Sequence, residues 1–151
     1  MVAVVRPWNP NDLDALIEMG MRFHHEAESY HNFKFSPHRV MESFFSVLND
    51  TNQVGLCYDD GGIKGAIAGA IYPQFFSKGL TASELFLFVE PTARGGIIGK
   101  RLVKAFEAWA TGMGASEIRV GVSAGIKSER TVGLYRKLGY NPTATQLRKV
   151  L

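Results

Sequence analysis

"VEPTARGGIIGKRLV", residues 89–103, decides the fold. An apolar strand runs into this stretch and ends at Val89-Glu90-Pro91. An amphipathic helix leaves it, with Ile98, Leu102, Phe106 and Trp109 or Ala110 near one stripe. Between them stand Arg94, the adjacent Gly95 and Gly96, and Gly99. A strand-to-helix turn with this composition needs either unusual backbone angles or bare backbone amides. The first amides of a helix lack intrahelical acceptors, and the helix dipole adds partial positive charge there. Glycines at 95, 96 and 99 keep side chains off those amides, while Arg94, Lys100 and Arg101 add charge. The turn therefore reads as a cradle for a diphosphate. A plain tight turn with close helix packing is the competing reading. No Gly-Lys-Ser/Thr follows, and the G-x-G-x-x-G dinucleotide fingerprint is missing.

Working outward, residues 2–6 read as a first strand. Asn9, Pro10 and Asp12 carry the signals of a helix start, and Leu13, Leu16, Ile17, Gly20 and Phe23 recur at helical spacing. Ser36-Pro37 opens a second helix with Val40, Phe44, Val47 and Leu48 on one face. "QVGLCY" (53–58) and "IKGAIAGAIYPQFF" (63–76) flank Asp59-Asp60-Gly61-Gly62, a hairpin turn signal. "SELFLFVE" (83–90) is a further strand. Helix 98–113 ends at Gly112 and Gly114. "EIRVGVS" (117–123) reads as a strand, "SERTVGLYRKL" (128–138) as a helix, and "TATQLRKVL" (143–151) as a last strand. The expected order is β-α-α-β-β-β-α-β-α-β, an α/β (α+β) fold with a single mixed central sheet flanked by helices.

The 151 residues suit one domain, 1–151, with 46% hydrophobic and 21% charged residues. The net charge of +3 is spread along the chain without a Lys/Arg block, so nucleic acid is not an expected partner. Cys57 is the lone cysteine, which rules out an intrachain disulfide and reads as a small buried hydrophobe. The N-terminus has no basic and apolar targeting pattern, and the most apolar window is broken by Lys64 and Pro73. A cytoplasmic protein without membrane association is the expectation. His24, His25 and His31 cluster with Glu26, Glu28 and Tyr30. His24 and Glu28 stand at i, i+4, but no second close ligand pair accompanies them, so no metal is expected.

Two motifs carry a resemblance. Arg94, Gly95, Gly96, Ile97, Ile98, Gly99 and Leu102 resemble the acyl-CoA-binding turn of the GNAT N-acetyltransferase superfamily, Arg/Gln-x-x-Gly-x-Gly/Ala, with Ile97 where that family's middle glycine stands. "SERTVGLYRKLGY" (128–140) resembles the family's Asn-x-x-Ala-x-x-Leu-Tyr-x-x-x-Gly-Phe/Tyr segment. Leu134, Tyr135, Gly139 and Tyr140 match it, with Ser128 in place of Asn and Thr131 in place of Ala. The element order is that of the acyl-CoA N-acyltransferase fold.

The resemblance implies transfer of an acetyl group from acetyl-CoA (coenzyme A) to a primary amine, a small molecule or a peptide. A non-catalytic acyl-CoA-binding module is the alternative. Residues Arg94 to Lys100 and Ser128 would bind the cofactor. Backbone groups of Phe88 and Val89 would receive its pantetheine arm, with the Val89 amide as oxyanion donor. Tyr135 stands at the family's usual acid position, and the competing reading is a core aromatic beside Leu138. Glu84 is the candidate base, or a solvated strand-edge carboxylate. Strict alternation puts 84, 86 and 88 on one face, unless a bulge disturbs the parity. Because the family's first helices wall its acceptor site, Glu26, Glu28, Tyr30 and His31 are candidates for amine recognition. Phe33 and Phe35 would line the same wall or belong to the core. The final strand would be available to pair in a homodimer.

Overall fold

The alternating runs either side of Asp59-Asp60-Gly61-Gly62 pair antiparallel as β2 (Gln53–Asp59) and β3 (Ile63–Pro73). Gly61 supplies the left-handed backbone of the turn, with φ of 101°. The computed structural model describes residues 2–122 and 128–151. It adds β1 (Val4–Pro7) outside β2 and β4 (Leu80–Val89) outside β3, both antiparallel. β5 (Ala115–Arg119) pairs parallel to β4 and completes a mixed sheet in the order β1-β2-β3-β4-β5.

Helices cover both faces. α1 (Leu13–Glu26) and α2 (Pro37–Asn49) pack over Trp8, Cys57, Ala66, Ala68 and Phe88. α3 (Ile98–Gly112) and α4 (Ser128–Lys137) belong with Leu56, Ile67, Ala82 and Tyr58 on the other face. The helix starts follow the sequence signals. The Asn9 side chain accepts from the Asn11 amide at 2.9 Å, and Asp12 accepts from the Asn9 amide at 2.8 Å. Ser36 Oγ accepts from the Arg39 amide at 3.2 Å at the start of α2. Arg6 joins β1 to the start of α1 through a bidentate bond to Asp12 at 2.8 and 2.9 Å, which holds the Asp12 carboxyl below its ordinary range. Cys57 is fully buried, and burial pushes its thiol up to about 11. Among the described residues, no helix is long and apolar enough to cross a membrane.

One irregularity positions the site. β3 and β4 are in register from Gly65↔Val89 to Ala68↔Phe86, and then Gly69 faces Glu84. Leu85 is the extra residue of a β-bulge, and its side chain is 55% exposed. The inserted residue reverses parity along β4. Ala82, Leu87 and Val89 belong to the α3 face, while Phe86 and Phe88 belong to the α1 face. The alternation expected for 84, 86 and 88 therefore fails. Glu84 lies with Leu87 and Val89.

Three expected strands also change. "IKGAIAGAIYPQFF" stops at Pro73, which has no amide to continue a ladder, and leaves Phe75 and Phe76 exposed in the loop that follows. β5 ends at Arg119, because the Gly121 amide turns away to donate to Glu84 Oε2 at 3.2 Å. Ser123, at the end of that expected strand, lies outside the described residues. The last strand, 143–151, is not formed, and Leu147 and Leu151 are exposed. β-propensity alone does not make a strand, and these residues pair with none of the described strands.

Gly69 also lets α3 approach the sheet. A Cβ built there meets the Phe106 ring at 2.2 Å and Ser83 O at 3.0 Å. Gly69→Ala is expected to destabilise the fold by about 2–3 kcal/mol through overpacking against a fully buried ring. Urea unfolding with an unchanged m-value checks this.

Candidate active site

β4 and β5 pair only over Leu80–Ser83 and Ala115–Arg119. Beyond Ser83, no strand covers that edge of β4 among the described residues. A cavity of about 730 Å³ opens in the gap. Its walls are the second half of β4, the turn of residues 93–96, the first turn of α3 and the inner face of α4.

The turn resolves the question raised by its glycines. Gly95 is the residue with a left-handed backbone, at φ of 86°. A Cβ at Gly96 would meet nothing within 4 Å, so this glycine leaves cavity space open. Gly99 is a packing glycine as well, with Leu134 Cδ2 at 3.3 Å from a built Cβ. Ile97 adopts φ −91° and ψ −8°, so the family's middle glycine is not needed there. Its side chain points to solvent at 59% exposure and cannot cap the helix. The α3 ladder begins with Arg101 N–H donating to Ile97 O at 2.9 Å. The amides of Ile98, Gly99 and Lys100 are thus left without intrahelical acceptors. Ile98 is buried in the core and its side chain does not line the cavity.

The cations are not arranged as the sequence suggested. Arg94 donates to Val89 O from Nε at 2.8 Å and grips Glu26 through two bonds of 2.9 and 2.6 Å. Its guanidinium lies 5.3 Å from the Phe88 ring centroid. Arg94 lines the cavity, but its charge is already partnered by Glu26. Arg101 lies over Tyr58, 5.2 Å from the ring centroid, and does not line the cavity. Lys100 does line it, together with Arg130 and Lys137 of α4. Arg130 Nη1 lies 3.9 Å from a Cβ built on Gly95, which places it beside the turn. Sequence reasoning missed this pair. Their i, i+7 spacing, with Leu134 between them, was the available signal. The side chain of Ser128 lies outside the described residues.

Glu84 and Tyr135 meet on the cavity wall. Glu84 is half-buried, and loss of hydration pushes its carboxyl up to about 7 against an opposing bond from the Gly121 amide. Tyr135 is 3% exposed, and its hydroxyl has no hydrogen-bond partner among the described residues. Burial first, then the nearby Glu84 charge, raises its pKa well above the ordinary tyrosine value. The hydroxyl stays protonated throughout the working range. A buried, unsatisfied O–H costs stability unless something accepts from it. Its ring packs edge-on against Tyr140 at 5.3 Å.

The acceptor-side candidates divide. Tyr30 lines the cavity and stacks on Phe23. Glu26 is engaged by Arg94. Glu28 is exposed on the short turn after α1 and does not line the cavity. His31 Nε2 donates to the carbonyls of His24 and His25 at 2.9 and 3.1 Å, so it caps the C-terminus of α1. His24 Nε2 likewise donates to Phe33 O. Phe88 is a core side chain, and its backbone faces β3 opposite Ala66 rather than the free edge of the strand.

The arrangement is thus a cradle of uncapped amides and cations at one end, with a carboxyl and an orphaned phenol beyond it. A sequence model of the acetyltransferase (GNAT) family matches residues 17–140. The chain belongs to that family and is an acetyltransferase by class. Among curated proteins, no sequence matches. Solved structures share the fold. A transcriptional regulator from Bacillus halodurans C-125 has a TM-score of 0.82 at 18% identity, over 99% of this chain and 100% of that one. The aminoglycoside N-acetyltransferase AAC(6')-Iy in complex with CoA has a TM-score of 0.80 at 16% identity, over 99% and 95%. Glucosamine-6-phosphate N-acetyltransferase from Arabidopsis thaliana has a TM-score of 0.75 at 16% identity, over 99% of each chain.

The raised Glu84 carboxyl makes a stability prediction with a definite sign. The folded state holds this proton more tightly than the unfolded chain, whose value is near 4.5. Stability is therefore lost as pH rises from about 4.5 through about 7, and the cost is complete above 7. Glu84→Gln is expected to match the parent near pH 4.5 and exceed it by ~2 kcal/mol at pH 8. Denaturant unfolding at the two pH values checks this.

Proposed function

We propose that the chain, as a single domain over residues 1–151, transfers the acetyl group of acetyl-CoA to a primary amine. When bound, acetyl-CoA supplies the acetyl group as a thioester and leaves as the thiol. The amides of Ile98, Gly99 and Lys100, with the Lys100 and Arg130 side chains, suit its diphosphate. Gly96 keeps the approach clear, and the Val89 amide on the uncovered edge of β4 suits its arm.

Glu84 takes the proton released as the amine nitrogen bonds to the acetyl carbon. A carboxyl near 7 is half ionised at neutral pH, which suits a base that must also release its proton. Tyr135 donates its proton to the sulfur as the carbon–sulfur bond breaks. The observation that carries this reading is the buried, unpartnered Tyr135 hydroxyl beside Glu84. A core tyrosine of purely structural purpose has its hydroxyl satisfied.

Tyr135→Phe is expected to lower kcat about 10²-fold with little change in the Kd for coenzyme A. Unchanged kcat would return Tyr135 to a packing role. Gly96→Leu fills the open cavity space and is expected to weaken coenzyme A binding by at least about tenfold in calorimetry. Coenzyme A binding without turnover of any amine would favour the non-catalytic module.

A further inference from the structure

The acceptor end of the cavity is poor in negative charge. Of the 14 acidic residues in the chain, Glu84 alone lines the cavity among the described residues. The neighbouring Glu26 and Glu90 are held by Arg94 and Arg22. Elsewhere, Asp12 and Asp59 serve Arg6, and Glu117 serves Arg119. Four cations, Arg94, Lys100, Arg130 and Lys137, line the same cavity, and Arg94 is paired with Glu26.

The wall beyond Glu84 is aromatic and aliphatic. Phe23 and Tyr30 stack with ring centroids 6.4 Å apart, and Phe23 is anchored edge-on against Phe88 at 5.2 Å. Phe86 continues that wall and is itself stacked on Trp8. Leu85 completes it. The bulge pushes this leucine out of the strand, so it lines the cavity while remaining over half exposed. Apolar surface held out of the core in this way gains free energy only when something covers it. A polycation at this end would meet one carboxylate, and its further ammonium groups would be desolvated without partners.

We infer that the acceptor is a monoamine on an aryl or alkyl body, its amine at Glu84 and its body against Phe23, Tyr30 and Leu85, and that polycations are poor acceptors. This rests on the transferase reading above. The recognising chemistry is ring stacking and apolar burial, with a single hydrogen-bonded amine setting the orientation.

The test uses the purified full chain, acetyl-CoA and thiol release, with phenethylamine and hexylamine against spermidine and kanamycin. The aryl and alkyl monoamines are expected to exceed the polycations in kcat/KM by at least about tenfold. Leu85→Asp adds a carboxylate at an exposed position that the fold does not need. It is expected to raise KM for phenethylamine about tenfold, improve spermidine, and leave KM for acetyl-CoA within about twofold. Preference of the parent for spermidine or kanamycin overturns the inference and leaves the transferase reading intact. So does unchanged selectivity in Leu85→Asp. Absence of coenzyme A binding in calorimetry overturns both.

Discussion

One extra residue in β4 organises the site. Without the bulge at Leu85, strict alternation would turn Glu84 to the α1 face, with Phe86 and Phe88, and away from Tyr135. The bulge leaves the outer half of β4 free to carry Phe86 and Phe88 into one core and Leu87 and Val89 towards the other. It falls where β5 has already left the sheet, so the irregular segment faces the cavity rather than a partner strand. Strand bending, the carboxylate's placement and the opening of the cleft are therefore a single event in the chain.

The polar groups in the cleft follow from that geometry. Glu84 loses hydration through burial, and it retains one amide donor, from Gly121. Tyr135 comes from α4 on the same side and is buried beside it. Burial raises the proton affinity of both groups, and the Glu84 charge raises that of Tyr135 further. The amide end is simpler. Gly95 takes the left-handed backbone, Ile97 begins an ordinary helix, and the unsatisfied amides follow from helical geometry alone.

Local patterns in the sequence were legible, and long-range pairings were not. The hairpin at Gly61, the caps at Asn9 and Ser36, and the strand-turn-helix around Gly95 depend on neighbouring residues, and each is present. Arg94 was read as a ligand for phosphate because its partner, Glu26, is 68 positions away and no local pattern marks an ion pair of that range. His31 was read as substrate-facing because helix capping by a side chain several residues downstream leaves no periodic trace. The bulge could be allowed for but not located, because "SELFLFVE" is apolar on both faces and a slip in parity does not alter its composition. Residues 143–151 have strand-like composition but pair with no described strand.

Arg94 and Arg22 have a mechanical consequence. Both reach across to bind carboxylates, Arg94 from the turn to Glu26 and Arg22 from α1 to Glu90, so helix and turn are stapled at two points. Two such ties leave that wall fewer degrees of freedom to lose when a ligand enters, so less of the binding free energy goes into ordering it.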